Sequence, residues 1–370
     1  MKSAAPWLTM TGNSPPAVPL KQAAIIQDEK GDPKLAHDVA VPRLEAGTML
    51  VRTAAVALNP SDYKMGTAFP TPGSIVGMDF AGIIVSIHPR TETDLCIGDA
   101  VCGMVHGSNP ASPENGAFAE YIRVRPELLL RVPQDLPMEQ ASTLGVGLIT
   151  NIMALWDPSG LALEATPDIP TEKPLPVLVY GGSTATGTLA IQLLHLSGLR
   201  PVTTCSPGNF DLVRARGAAA ALDYVDPSVV DDIRAFAGGK LKHAYDCIGD
   251  MSSAAHSYAA IGRTGGRYVT LEQVPEELLR TRRAVRNKFV RGYEVFGRDV
   301  PLSRGYECVA DPAKLALAVR YLHVLQGLLD KGDLKTHPVQ KLGGGLPGVL
   351  EGLKLLKSGS VSGKKLVVAL

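Results

Sequence analysis

The chain has no surplus of charge of either sign: 37 Lys and Arg stand against 36 Asp and Glu, a net charge of +1. With no dense basic run either, nucleic acid and anionic membranes are poor candidates for its main partner. No apolar run approaches the roughly 20 residues that span a bilayer. Met1-Lys2-Ser3-Ala4-Ala5-Pro6-Trp7 is broken by polar residues and proline before a signal-like apolar core can form. Lys364-Lys365-Leu366-Val367-Val368-Ala369-Leu370 carries no lipidation or retention motif. These absences lead to the expectation of a cytoplasmic protein. Cysteine is scarce as well. Cys96, Cys102, Cys205, Cys247 and Cys308 are odd in number, widely spaced and never in a Cys-x-x-Cys pair, which excludes a disulfide framework and a cysteine-rich zinc lobe. Small buried thiols are the expected reading.

What is present is a folded chain of 370 residues, 45% hydrophobic and 20% charged. That length exceeds one ordinary core and predicts two domains. The first 150 residues read as β-rich, with strand candidates at 51–58, 81–87 and 117–124 and a helix from Pro137 to Trp156 whose first half is interrupted by Gly145 and Gly147. From Asp157 to Pro176 five prolines interrupt any periodicity, marking a surface loop. Strands and helices then alternate. Strands are expected at 177–180, 201–205, 222–224, 244–246 and 268–271, with helices between them. This rhythm predicts a Rossmann-type, doubly wound parallel sheet.

The first turn of that block, Gly181-Gly182-Ser183-Thr184-Ala185-Thr186-Gly187, fits Gly-x-Gly-x-x-Gly except that Thr184 replaces the middle glycine. Two readings stay open here. The hydroxyls of Ser183, Thr184 and Thr186 compensate by bonding phosphate at a helix N-terminus, or the segment is a helix cap in a tight turn. An NAD site places an acid after the second strand. This chain has Cys205-Ser206-Pro207-Gly208-Asn209, with no acid before Asp211. Ser206 and Asn209 are donors suited to a 2′-phosphate, which favours NADPH. Tyr224 either packs on the adenosine or belongs to the core.

With those residues in place, the chain resembles the medium-chain dehydrogenase/reductase superfamily. The landmarks are Asn59-Pro60-Ser61-Asp62, Gly77-Met78-Asp79-Phe80-Ala81-Gly82, Gly98-Asp99-Ala100-Val101, Gly116-Ala117-Phe118-Ala119-Glu120-Tyr121 and Gly363-Lys364-Lys365-Leu366-Val367-Val368. The resemblance implies an α/β fold: a GroES-like β-rich catalytic domain plus a Rossmann doubly wound parallel sheet. It divides the chain into 1–156 (first part of the catalytic domain), 157–176 (proline-rich loop), 177–330 (Rossmann NADPH-binding domain) and 331–370 (return to the catalytic domain). Zinc alcohol dehydrogenases carry a ligand cysteine at the place of Asn59 and a His-Glu pair at Met78-Asp79. A thioether does not replace imidazole and one carboxylate does not make a site, so a zinc-independent enzyme with no metal site is expected.

Finer matches, in Leu178–Thr186, Thr204–Leu212 and Ala260–Gly266, resemble the trans-acting enoyl reductases of fungal highly reducing polyketide synthases, the lovastatin-pathway type. By that resemblance, cofactor contacts fall on Ser61-Asp62-Tyr63-Lys64, Ser183-Thr184-Ala185-Thr186, Ser206-Pro207-Gly208-Asn209, Tyr224, Leu271-Glu272 and Val361-Ser362. The substrate channel falls on Leu148, Ile149, Thr150, Asn151, Ile152, Met153, Ala154 and Leu155, and on Gly292, Tyr293, Glu294, Val295 and Phe296. The implied reaction is conjugate reduction of an enoyl thioester, in which donors or a cation meet the developing enolate charge. Lys64 and Thr150 are the catalytic candidates. Related mitochondrial-type enzymes use a tyrosine a few residues beyond Asn59-Pro60-Ser61-Asp62; here Tyr63 is followed by Ala68 and Phe69, so that tyrosine is not clearly kept, and the proton donor stays open, solvent being one source. The implied partner is a highly reducing polyketide synthase, or a synthase–peptide synthetase hybrid, through its acyl carrier domain, with the reductase a monomer. A stand-alone NADPH-dependent quinone or alkenal reductase and a non-catalytic NADPH-binding protein are the alternatives. The basic cluster Arg280, Arg282, Arg283, Arg286, Lys288 and Arg291 is either a carrier-docking patch or a solvated face.

Overall fold

A computed structural model describes residues 18–370; the segment Met1–Trp7 lies outside the described residues. The chain begins with the strands β1 (Lys21–Gln27) and β2 (Pro33–Ala40), then β3 (Met49–Ala57), α1 (Pro60–Ala68), β4 (Asp79–Ile87), β5 (Ala100–Met104), β6 (Tyr121–Val124), β7 (Leu129–Arg131), α2 (Met138–Ala141) and α3 (Gly145–Leu155). Strict alternation follows: β8 (Pro176–Tyr180), α4 (Ala185–Leu196), β9 (Arg200–Thr204), α5 (Phe210–Ala215), β10 (Ala220–Leu222), α6 (Val229–Phe236), β11 (His243–Asp246), α7 (Met251–Ala260), β12 (Gly266–Thr270), α8 (Glu276–Arg280) and β13 (Val285–Phe289). The chain closes through α9 (Pro312–Asp330), β14 (Val339–Leu342), α10 (Leu346–Lys357) and β15 (Lys365–Ala369).

Every strand pair in the alternating block is parallel, in the order β10-β9-β8-β11-β12-β13. Helices cover both faces, so β8 reads as the unbroken apolar run Val177-Leu178-Val179-Tyr180, all buried. The chain runs outward from β8 in both directions, and the crevice at the carboxyl ends of β8 and β11 is the switch point where such sheets bind ligands. The β-rich first block forms a seven-stranded sheet that includes β3, β4, β5, β14 and β15. In it β15 runs antiparallel to β3, with Val368 opposite Val56. The carboxyl-terminal strand is thus hydrogen-bonded into the sheet of the amino-terminal block. Among the described residues no helix is long and apolar enough to cross a membrane.

Two expected elements differ. The helix predicted from Pro137 to Trp156 is split into α2 and α3. The Ser142 and Thr143 hydroxyls donate back to Glu139 O (2.9 Å) and Gln140 O (2.7 Å), offering the backbone an alternative to the helix ladder. At Gly145 a Cβ would lie 2.1 Å from Gly103 O, so tertiary contact restarts the helix there. The strand expected at 222–224 ends at Leu222, leaving Tyr224 beyond it on the surface. The proline-rich loop carries no helix or extended strand over 157–175. It is pinned by the buried Asp157, paired with Lys314, and by the Trp156 indole donating to Ala165 O at 3.1 Å.

Candidate active site

A cavity of about 540 Å³ opens at the switch point, between the parallel sheet and the β-rich block. One wall comes from turns that follow β8, β11 and β12: Ser183 to Thr186, Cys247-Ile248 and Leu271-Glu272. The opposite wall is built by α1, α3 and the segment Val361 to Leu366.

Local chemistry explains the glycine turn. A Cβ on Gly182 would sit 1.9 Å from Thr203 Oγ1, and one on Gly187 would meet Gly181 O at 2.5 Å. Both glycines therefore let the turn pack on β9 and the helix on the strand. Thr184 fills the middle place as the cap of α4, its hydroxyl accepting from Gly187 N–H (3.0 Å) and donating to Gly181 O (2.9 Å). The helix-cap reading of this segment is the one the structure shows, and Ser183 to Thr186 line the cavity.

Ser61 and Lys64 reach the cavity from α1. The Lys64 ammonium, half exposed, pairs with the Glu272 carboxylate across the cleft. Tyr306 donates to the other Glu272 oxygen at 3.4 Å and packs edge-on against Phe69 and Phe289. Burial, followed by the Glu272 charge, raises the Tyr306 phenol above its ordinary value. Thr150 is the one residue of its predicted octet that lines the cavity, and its hydroxyl has no hydrogen-bond partner among the described residues. Gly292 faces it; a Cβ there would come within 3.3 Å of Thr150 Oγ1 and 3.9 Å of Met104 Sδ. Tyr293 completes this side, stacked on the buried His106 ring at 4.4 Å.

Other expected positions stand elsewhere. Leu148, Ile149, Ile152, Met153, Ala154 and Leu155 are packed in the core around α3, and the buried Asn151 donates to Thr186 O at 3.1 Å. Buried Glu294 is paired with Lys288 and Arg291, Val295 is in the core, and Phe296 packs against it. Tyr63 packs on the core of the β-rich block, and Asp62, in the first turn of α1, is buried. Ser206, Pro207, Gly208 and Tyr224 lie outside the cavity lining, further along the edge of the parallel sheet. Asn209 joins them to the cavity by donating to Ser362 Oγ at 3.1 Å. In the basic cluster, Arg280 pairs with Glu276, Arg282 donates to carbonyls of Tyr258, Ile261 and Gly262, and Lys288 and Arg291 face Glu294. Arg280, Arg283 and Arg286 are exposed, whereas Arg282, Lys288 and Arg291 are half-buried and engaged within the fold.

Three polar groups of this region carry no role in the sequence reading. Lys365 is buried on the cavity wall, its ammonium donating to Asn59 Oδ1 (2.5 Å) and Asp79 Oδ2 (2.8 Å). Asp79 is its counter-charge. His337 lines the cavity with Nδ1 2.8 Å from Thr188 Oγ1; burial, then the charges of Lys365 and Arg216, lower its pKa to about 3, leaving a neutral ring. Lys365 falls in the landmark Gly363-Lys364-Lys365-Leu366-Val367-Val368, where it opens an otherwise apolar strand. His337 has no sequence signal. Below them, burial pushes the Asp62 carboxyl up to about 7; the Asn59 N–H bond (2.7 Å) opposes that rise and the Asp79 charge adds to it.

The alcohol dehydrogenase GroES-like domain matches residues 45–134. The trans-enoyl reductase TwmE of Talaromyces wortmannii is 47% identical over 358 residues, covering 94% of this chain and 97% of that protein. The trans-enoyl reductase poxP of Penicillium oxalicum is 44% identical over 357 residues, covering 95% and 94%. Among solved structures, the CurK enoyl reductase superposes with a TM-score of 0.75 at 16% identity, over 94% of this chain and 99% of that one. A quinone oxidoreductase from Coxiella burnetii gives 0.69 at 22% identity, over 94% and 99%. At such identities the solved structures speak for the fold alone.

Proposed function

The chain belongs to the trans-enoyl reductase family, and from that premise we propose that it reduces the α,β-double bond of a carrier-bound polyketide enoyl thioester. The observation that carries this reading is near-full-length identity of 40–47% to proteins named for enoyl reduction. The cavity at the switch point, with Thr150 and Lys64 on the wall opposite the glycine turn, supports it. NADPH is the proposed reductant, supplying hydride to the β-carbon while the α-carbon gains a proton.

The chain's own residues fit that cofactor. The capped turn at Ser183 to Thr186 offers backbone N–H groups and hydroxyls to a pyrophosphate, and Ser61, Leu271, Glu272, Val361 and Ser362 flank the same space. Ser206 and Asn209 supply neutral donors after β9, where no carboxylate precedes Asp211; this donor set supports a 2′-phosphate. Thr150 is proposed to donate to the thioester oxygen as charge develops, and Lys64 to leave Glu272 for the cofactor or the enolate. Zinc has no part in the proposal. At the place of the zinc enzymes' ligands stand Asn59, Met78 and Asp79, and the Lys365 ammonium is hydrogen-bonded among them. The division at 1–156, 157–176, 177–330 and 331–370 is proposed on the same footing, supported by the pairing of β15 with β3. We further propose a cytoplasmic monomer serving the acyl carrier domain of a highly reducing polyketide synthase.

The test is NADPH oxidation by purified protein with an α-methyl enoyl pantetheine thioester, with a quinone as parallel acceptor. Turnover of the thioester is expected. Turnover of the quinone alone would make the protein a detoxifying reductase, and turnover of neither would leave a binding protein.

A further inference from the structure

Asp79 opens β4 fully buried, and its two carboxylate oxygens serve different helices. Oδ1 accepts from the Val146 N–H, in the first turn of α3, at 2.6 Å. Oδ2 accepts from Asn59 Nδ2, at the amino end of α1, at 2.9 Å, and from the Lys365 ammonium at 2.8 Å. The approach to α3 depends on a missing side chain, because a Cβ on Gly145 would lie 2.7 Å from Asp79 Oδ1. A carboxylate at a helix N-terminus is also favoured by the helix dipole. One helix so tied presents Ser61 and Lys64 to the cavity; the other presents Thr150.

A buried ion pair is weak evidence for stability, since well-packed apolar residues often do as well. Its use here is geometric. We infer that Asp79, with Lys365 as its counter-charge, is a positioning residue that fixes the helix bearing Lys64 relative to the helix bearing Thr150. The inference rests on the enoyl reductase reading, because it is the spacing of cofactor and thioester between those helices that the tie controls.

Two double variants separate geometry from charge. D79L/K365M removes both charges and both ties. D79N/K365M also removes both charges but keeps the ties, the amide oxygen accepting from Val146 N–H and the amide N–H donating to Asn59 Oδ1. Neither leaves a buried ion unpaired. Thermal unfolding identifies folded preparations, and NADPH affinity is read by fluorescence titration alongside thioester turnover. D79L/K365M is expected to lose about ten- to hundredfold in kcat, the scale of an ångström misplacement, and to bind NADPH several-fold more weakly. D79N/K365M is expected to stay within about threefold of wild type in both. Wild-type kcat in folded D79L/K365M would overturn the inference. So would a D79N/K365M as impaired as D79L/K365M, because charge rather than position would then be what is needed. If D79L/K365M does not fold, Asn59→Ala cuts the α1 tie and removes one acceptor of the Lys365 ammonium, but leaves the ion pair and the tie to α3. Several-fold weaker NADPH binding is then expected, and unchanged affinity would contradict the tie. Failure of the wild type to reduce any enoyl thioester would sink the functional reading instead, with the NADPH affinities still deciding the tie.

Discussion

The two walls of the cavity are built on opposite physical principles. The parallel-sheet wall is local in its main turn: seven residues pack on β9 through Gly182, cap α4 through Thr184, and line the cavity with neutral groups, the turn after β12 adding the Glu272 carboxylate. The β-rich wall is long-range and charged: Asn59, Asp79 and Lys365 meet from three elements and hold two helices by side-chain hydrogen bonds in a buried site. A wall built locally survives the loss of one hydroxyl, whereas a buried charge network fails when one partner goes.

That contrast can be broken at four points. The largest effect is expected from Lys365→Met alone, which leaves the Asp79 carboxylate buried and unpaired. A loss of about 3–5 kcal/mol in urea unfolding is predicted, and a loss under about 1 kcal/mol would show that the network does not carry the wall. On the other wall, Gly182→Ala drives a methyl group into Thr203 Oγ1. Overpacking predicts a loss of roughly 1–3 kcal/mol with weakened NADPH binding, measured by thermal unfolding and fluorescence titration. An unchanged Tm would mean that the turn has slack.

A smaller effect tests Asp62. Its folded pKa, about 7, lies above the ordinary 3.8, so the folded state holds a proton that the unfolded chain releases at lower pH. Its favourable contribution is complete below about pH 4 and is lost as pH rises toward 7. Asp62→Asn keeps an acceptor for the Asn59 N–H, so its stability relative to wild type is expected to rise between pH 5 and pH 8. Parallel pH profiles of the two proteins would refute this. The smallest stability change is expected from Glu272→Gln, since the Lys64–Glu272 pair is partly exposed. Below about 1 kcal/mol is predicted, with a change in KM for NADPH as the sharper readout. An unchanged KM would detach this pair from the cofactor.

The same contrast explains how much of the molecule is legible in its sequence. Parallel strands buried on both faces print as apolar runs, and Val177-Leu178-Val179-Tyr180 announces the Rossmann half together with its glycine turn. The break between α2 and α3 is half printed: Gly145 and the back-bonding Ser142 and Thr143 are local signals, whereas the meeting of Gly145 with the backbone of Gly103, some forty residues earlier in the chain, is not. A helix apolar on every side does not declare which residue faces a ligand. Of the segment Leu148 to Leu155, Thr150 alone reaches the cavity, while its neighbours form the core. Lys64 and Thr150 were accessible to motif reasoning because each sits in a contiguous segment. The Asp79–Lys365 pair was not, because its partners are 286 residues apart and neither residue names the other.

The most direct test of the central claim is single-turnover reduction of an enoyl pantetheine thioester with NADPH deuterated at C4, followed by mass and NMR analysis of the product. The account predicts one deuterium at the β-carbon and a solvent-derived proton at the α-carbon. A saturated product without β-deuterium, or no saturated thioester while a quinone is reduced by the same preparation, would contradict it.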